Sequence, residues 1–257
     1  MRAVAEVTEQ TRTRIGAIGA LRLGRFVIAL VVGVVLLLAP HLLWRAAQPN
    51  RPSPLARLYL RILSAAAGIR VRRRGIVLGG HALVASNHIS WTDILALGGA
   101  ARLTFVAKAE VRGWPGLGLL ARLAPTVFVR RGARGEARQQ SEAIAAALRH
   151  GPVVLFPEGT TGDGNGVLPF RTTLFAASGL VQPVAIAYDP PPGAVWNREQ
   201  RAAFAWDGDK RFLPHVAAVI AAGGARCTID VLPPIRGADR KALATAARDA
   251  IVAALAR

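Results

Sequence analysis

The feature that most limits how this chain can fold is a run near its N-terminus, Phe26 to Trp44, reading FVIALVVGVVLLLAPHLLW. It is 19 residues long and nearly uncharged, close to the roughly 20 apolar residues a helix needs to cross a bilayer. A helix lying on a globular domain has one polar face, and this run has none. A membrane-embedded helix is therefore expected. It either crosses or, because Pro40 and His41 interrupt its far end, enters and turns back. The basic region before it is long and no small-x-small cleavage site stands out, so an uncleaved anchor is expected rather than a signal peptide. Arg22 and Arg25 precede the run and Arg45 and Arg51 follow it, so the distribution of positive charge sets no orientation.

After the Pro-rich break from Pro49 to Pro54 comes LARLYLRILSAAAGI, with Arg57 and Arg61 set into an apolar pattern. Two readings fit: a helix lying in the membrane interface with arginines reaching phosphates, or an amphipathic helix packed on the domain. Residues 1–69 are thus expected to form an anchor with interfacial helices, and 70–257 a globular domain. The charge agrees with a lipid surface: 33 basic residues face 15 acidic ones, and only Lys108, Lys210 and Lys241 are lysines. Such a balance also suits nucleic acid, but charge alone supports that reading, and the apolar run favours lipid. The single Cys227 excludes an internal disulfide and any multi-cysteine metal site.

From about residue 70 the pattern changes. HALVAS, LTFVAK, TVFVR, PVVLFP, VQPVAIAY and RCTIDVLP read as short strands. Between and after them WTDILALGG, the region Trp114 to Leu123, ARGEARQQSEAIAAALRHG and ADRKALATAARDAIVAALA read as helices. This alternation predicts an α/β domain, a largely parallel sheet flanked by helices, behind the N-terminal membrane-embedded segment. Chemistry is expected at the carboxyl ends of its strands.

Two motifs fall there. Asn87-His88-Ile89-Ser90-Trp91-Thr92-Asp93 follows the strand HALVAS and opens a helix; Ser90 with Asp93 three residues on predicts a capping box. An imidazole is largely neutral near pH 7 and accepts a hydroxyl proton, and a carboxylate on its other nitrogen fixes the tautomer and stabilises the imidazolium. Five residues is not a same-face helical spacing, so pairing His88 with Asp93 requires the turn proposed here. Chance supplies this pattern in roughly one chain of this length in a hundred. The second motif is Phe156-Pro157-Glu158-Gly159-Thr160, an acceptor, an unhindered backbone and a hydroxyl at another strand end. Alone it is better read as a strand-ending turn.

Together, and in this order, the motifs resemble the glycerolipid acyltransferase family, which includes the 1-acylglycerol-3-phosphate acyltransferases. VAKAEV around Lys108 and TVFVRR around Arg131 resemble two further blocks; LPFRTTLF with Arg171 resembles the basic stretch after FPEG, and VQPVAIAY the proline-containing block. The resemblance covers about residues 70 to 190. It implies that His88 is a general base oriented by Asp93. It further implies that Glu158, Gly159 and Thr160 line the acceptor site, and that Lys108 and Arg131 supply positive charge for a headgroup. The acyl donor is implied to be acyl-CoA or an acyl carrier protein thioester, the acceptor a membrane lysolipid, with no bound cofactor, no metal and no nucleic-acid partner. The implied location is the inner (cytoplasmic) membrane, catalytic domain on the cytoplasmic side. No G-x-S-x-G elbow is present, which fits direct attack by the acceptor hydroxyl. A thioesterase using the same His88 is the alternative of another class.

One position departs from the pattern. Phosphate-accepting members typically follow FPEGT with arginine, whereas here Thr161 stands there, followed by Gly162-Asp163-Gly164-Asn165. Arg171 is placed to replace the missing partner. The run EGTTGDGNGVLPFR and WDGD at Trp206 to Asp209 also resemble bacterial enzymes that acylate lyso-ornithine lipid, whose headgroup has no phosphate. Lysophosphatidic acid is the first expectation for the acceptor, on the breadth of that activity in the family, and lyso-ornithine lipid the second.

Overall fold

The computed structural model describes residues 16–48, 53–114, 125–129 and 136–256. The expected helix at Trp114 to Leu123, most of the Pro-rich break and Arg131 therefore lie outside the described residues, apart from Trp114 and the end positions Ser53 and Pro54. The strands are β1 (Ile69–Arg74), β2 (Leu83–Ser86), β3 (Thr104–Lys108), β4 (Thr126–Val129), β5 (Val153–Leu155), β6 (Leu180–Asp189), β7 (Ala225–Val231) and β8 (Ile235–Arg236). The helices are α1 (Ala17–Ala47), α2 (Pro54–Ala66), α3 (Thr92–Ala100), α4 (Glu136–Leu148), α5 (Arg198–Phe204), α6 (Phe212–Ala222) and α7 (Arg240–Leu255).

The strands form one sheet in the order β1-β7-β6-β2-β5-β3-β4, with β8 added to β6. Every pairing is parallel except those of β6 with β7 and β8, so the largely parallel α/β sheet expected from the alternation is present. Both faces are covered, which is why the central strands carry no polar alternation. In β2, Leu83 and Ala85 point into a core built with α4 and α7, while Val84 points into a second core built with α1, α2, α3 and α6. Val153 and Leu155 of β5 divide from Val154 in the same way.

Four of these strands and helices were not expected from the sequence. In β1, IRVRRR, only Ile69 is buried, and the strand exists because it pairs along its whole length with β7. The two-residue β8 is too short for a periodicity, and α5 is a single seven-residue helix started by an Asn197–Gln200 capping box. The helix α6 hides behind Pro214, which sits in its first turn where a missing N–H costs nothing.

The helix α1 runs unbroken through Pro40 to Ala47, and its stretch Ala17–Leu37 is long and apolar enough to cross a membrane. It neither ends nor turns at Pro40. One edge of it packs: Phe26 meets Trp91 edge-on at 6.3 Å, and the Tyr59 hydroxyl of α2 donates to the Leu30 carbonyl at 2.9 Å. The other side is bare, with Ile28, Val35 and Leu43 64%, 69% and 72% exposed. Of the two readings of the second segment, α2 does pack on the domain, burying Tyr59, Leu60 and Leu63, while Arg61 stays outside.

The contact between α1 and α2 depends on Gly33, where an added Cβ would fall 2.2 Å from Tyr59 Cε2. Gly33→Val is expected to cost about 1–3 kcal/mol by overpacking, a melting midpoint lowered by roughly 2–10 °C. Gly24→Val, at a position with no neighbour within 4 Å, is expected to leave the midpoint unchanged or slightly raised. Scanning calorimetry of the two variants checks the pair.

Candidate active site

The site is set by strand register. β2 and β5 run parallel with Ala85 beside Leu155, so His88 and Glu158, each three residues further on, emerge at the same level. Phe105 of β3 lies beside Val154, which brings Lys108 to the same rim. Residues far apart in the chain meet because the strands are parallel and end together.

Asp93 is fully buried in the first turn of α3. Its Oδ2 accepts from His88 Nδ1 at 2.7 Å, from the Ile89 amide at 2.7 Å and from the Ser90 amide at 3.0 Å. Three converging donors at a helix N-terminus suit an anionic oxygen. The capping box expected at Ser90 forms by half. Asp93 reaches back to the Ser90 amide, but the Asp93 amide bonds the Ser90 carbonyl, and Ser90 Oγ caps nothing. With Nδ1–H donated to Asp93, the lone pair of His88 sits on Nε2. The ring is stacked on Phe156 at 3.9 Å and is 16% exposed.

The backbone of His88 is held from both sides. Its amide donates to Glu158 Oε1 at 2.7 Å, and its carbonyl accepts from the Gly162 amide at 2.8 Å. The second Glu158 oxygen accepts from the Leu168 amide at 2.8 Å. Both Glu158 oxygens are thus occupied by main chain, and burial, the larger effect, raises the pKa of its carboxyl against these bonds. Ile89 is tied to the WDGD segment, its carbonyl accepting from the Trp206 amide at 2.9 Å, and the Thr161 hydroxyl bonds the Trp206 carbonyl. Thr161 stands where an arginine was expected, and its hydroxyl joins two loops.

His88 opens on a cavity of about 370 Å³ lined by apolar side chains, among them Ile94, Leu95, Phe105, Val111 and Leu174. Thr160, Thr161 and Gly159 edge it, as does Lys108, whose ammonium lies 3.5 Å from Glu110. Gly159 has φ +77, and a Cβ there would strike the Arg171 guanidinium at 2.5 Å, so Arg171 lies directly against FPEGT. The structure therefore brings together His88, Asp93, Glu158, Gly159, Thr160, Thr161, Lys108 and Arg171; Arg131 lies outside the described residues. Missed in the sequence were Asn87, which bonds the Ile186 main chain twice (2.9 and 2.8 Å) and fixes the end of β2 to β6, and the Phe156 ring under His88. Asn87 precedes His88 in the motif, but nothing local reports a bond to a strand 99 residues away. Among the described residues no cluster of His, Cys, Asp and Glu is placed to hold a metal ion.

A family model described as Acyltransferase matches residues 68–187. A lyso-ornithine lipid O-acyltransferase of Brucella abortus is 39% identical over 217 residues, 78% of this chain and 79% of that protein. The chain belongs to the glycerolipid acyltransferase family. A second lyso-ornithine lipid O-acyltransferase, from Rhodobacter capsulatus, is 38% identical over 90% of this chain and 88% of its own. A 1-acyl-sn-glycerol-3-phosphate acyltransferase of Neisseria gonorrhoeae is 40% identical over 41% of this chain and 44% of its own. The crystal structure of the LPA acyltransferase PlsC from Thermotoga maritima has the same fold, with a TM-score of 0.51, 18% identity and coverage of 92% of this chain and 98% of that one.

In this acyltransferase the groups behind the dyad are buried and neutral. The phenol of Tyr188 accepts from Thr92 Oγ1 at 2.9 Å and is pushed well above its ordinary range by burial and then by the nearby Asp93 charge. Burial likewise raises the Cys227 thiol, so the one cysteine is no nucleophile at neutral pH. His215 accepts from the Trp91 indole at 3.2 Å through Nδ1 and lies 3.1 Å from the Phe204 carbonyl through Nε2. Burial first, and then Lys210, lowers its pKa.

A histidine depressed in the folded state stabilises the fold above its unfolded pKa and loses that contribution as pH falls through the folded value. Thermal stability is expected to fall as pH is lowered below about 6.5, with a flatter slope in His215→Leu; parallel slopes in melting curves recorded across pH would count against this. For Glu158→Gln, one buried amide loses its acceptor, a cost of about 1–3 kcal/mol. The expected result is a kcat lowered roughly 10- to 100-fold with little change in acceptor KM, read from steady-state kinetics.

Proposed function

We propose that this chain transfers a fatty acyl group from a thioester, acyl-CoA or acyl carrier protein, to the hydroxyl of lyso-ornithine lipid. The observation that carries the reaction is the His88–Asp93 pair at the mouth of an apolar cavity. His88 Nε2 takes the acceptor's hydroxyl proton as the oxygen attacks the thioester carbon. The C–O bond forms, the tetrahedral intermediate collapses with breakage of C–S, and the imidazolium returns the proton to the departing thiolate. Asp93 holds the productive tautomer and stabilises the imidazolium. Glu158 and Gly162 fix the main chain that carries the base, Thr160 and Gly159 border the acceptor, and the cavity receives the acyl chain. Lys108, Arg171 and Arg131 are proposed as the cations near the headgroup.

Thr161 favours lyso-ornithine lipid over lysophosphatidic acid as acceptor. A bidentate phosphate ligand is absent at that position, and the hydroxyl that replaces it is bonded to Trp206. The length over which the lyso-ornithine relatives match supports the same order. Lysophosphatidic acid, the first expectation from the sequence, becomes the second reading, kept because Arg171 lies against Gly159. The bare apolar side of α1 supports a membrane seat for residues 1–69 and a catalytic domain, 70–257, facing the lysolipid from the cytoplasmic side of the inner membrane.

Purified enzyme in detergent, given a labelled acyl thioester and either lysolipid, tests this. Acylation of lyso-ornithine lipid is expected, and His88→Ala is expected to lower it by about 10²–10⁴ or more. A clear preference for lysophosphatidic acid, lost in Arg171→Gln, would replace the first reading by the second. Equal thiol release with and without acceptor would mark a thioesterase.

A further inference from the structure

Beside α3, and sharing only Leu95 with the catalytic cavity, lies a second hollow, about 860 Å³, between α1, α2 and β1. Arg22, Arg25, Arg57, Arg61, Arg70 and Arg73 line it, and among the described residues no acidic side chain does. Four of the six are anchored on helix ends. Arg22 donates to the Ala221 carbonyl at 2.9 Å and Arg25 to Ala66 at 3.4 Å; Arg57 donates to Gly99 at 3.2 Å and Arg73 to Ala100 at 2.8 Å. The C-termini of α6, α2 and α3 thus converge on one groove. Each carries a partial charge of about −0.5, so three offset only about 1.5 of six positive charges. The side chains of Arg61 and Arg70 make no hydrogen bond or ion pair among the described residues. A preorganised cluster with spare N–H donors and uncompensated charge fits an oxyanion with several acceptor oxygens, above all a phosphate, which guanidinium binds in bidentate fashion.

We infer that this groove binds the phosphate of an anionic phospholipid, at a site separate from the acceptor. The lipid is chosen over a soluble phosphate by position. Arg22 and Arg25 lie in α1 just before the apolar run begins at Phe26, and the outward face of α1 beyond them is apolar. The choice rests on the proposed membrane seat of α1. With that helix in the bilayer, the groove lies at the depth of the headgroups. Ala96, Gly99 and Ala100 of α3 line the groove and Ile94 the catalytic cavity; Leu95 borders both, and none of the six arginines lines the catalytic cavity, so the two ligands have separate polar sites.

The test measures binding of fluorescent phosphatidylglycerol and phosphatidylcholine to the full-length protein in detergent micelles. Phosphatidylglycerol is expected to bind more tightly. Arg61→Gln/Arg70→Gln is expected to weaken it roughly 10- to 30-fold and leave phosphatidylcholine unchanged. Arg236→Gln/Arg240→Gln, which removes equal charge outside the groove, is expected to leave both unchanged. Equal losses in the two double variants, or no preference in the wild type, overturn the inference. So does displacement of phosphatidylglycerol by inorganic phosphate at constant ionic strength, which would assign the groove to a soluble anion. A wild type that partitions into neither neutral nor anionic vesicles contradicts the membrane seat alone, and the micellar preference still decides the groove.

Discussion

One oxygen atom organises this protein's chemistry. Asp93 Oδ2 accepts from the His88 ring and from two successive main-chain amides, so the same contact closes the loop after β2, starts α3 and sets the imidazole. A carboxylate buried without partners would be expensive. Here its donors are the imidazole and the amides of the loop that carries it, so folding of the loop and orientation of the proposed base become one event. The five-residue spacing between His88 and Asp93 is the length this closed loop requires.

Around that contact the fold supplies rigidity from neighbours that are remote in the chain. Parallel register brings Glu158 level with His88, and Glu158 spends both oxygens on amides from two loops. Gly162 and Trp206 add bonds to the His88 and Ile89 carbonyls, and Asn87 stitches the strand end to β6. His88 is thus held by its own main chain as well as by Asp93. Thr161 bonds Trp206, and Gly162 and Trp206 bond the loop that carries His88, so the segments after FPEGT and at WDGD are tied to each other and to that loop.

Much of this was legible in the sequence. Central strands buried on both faces read as plain apolar runs, and HALVAS and PVVLFP were located to within a few residues. The motif residues then pointed to the right strand ends, since the parallel sheet follows from the alternation. What stayed hidden was whatever depends on main chain or on distant pairing. The arginines of β1 masked a strand that only β7 explains, Pro214 masked α6, and Pro40 looked like a break in a helix that continues past it. For Glu158 the sequence shows the carboxylate but not the two amides that occupy it. Ser90 read as a cap because spacing does not show which way a hydroxyl turns.

The central claim is that His88 activates the acceptor hydroxyl for direct attack, with no acyl-enzyme on the way. Rapid mixing of enzyme with a labelled acyl thioester, followed by intact-protein mass measurement and thiol titration, tests it directly. Without acceptor, no acyl mass adduct and no burst of thiol are expected, and on adding the lysolipid thiol and acylated product appear one for one. An acyl adduct on the protein, or a stoichiometric thiol burst before acceptor is added, would contradict the account.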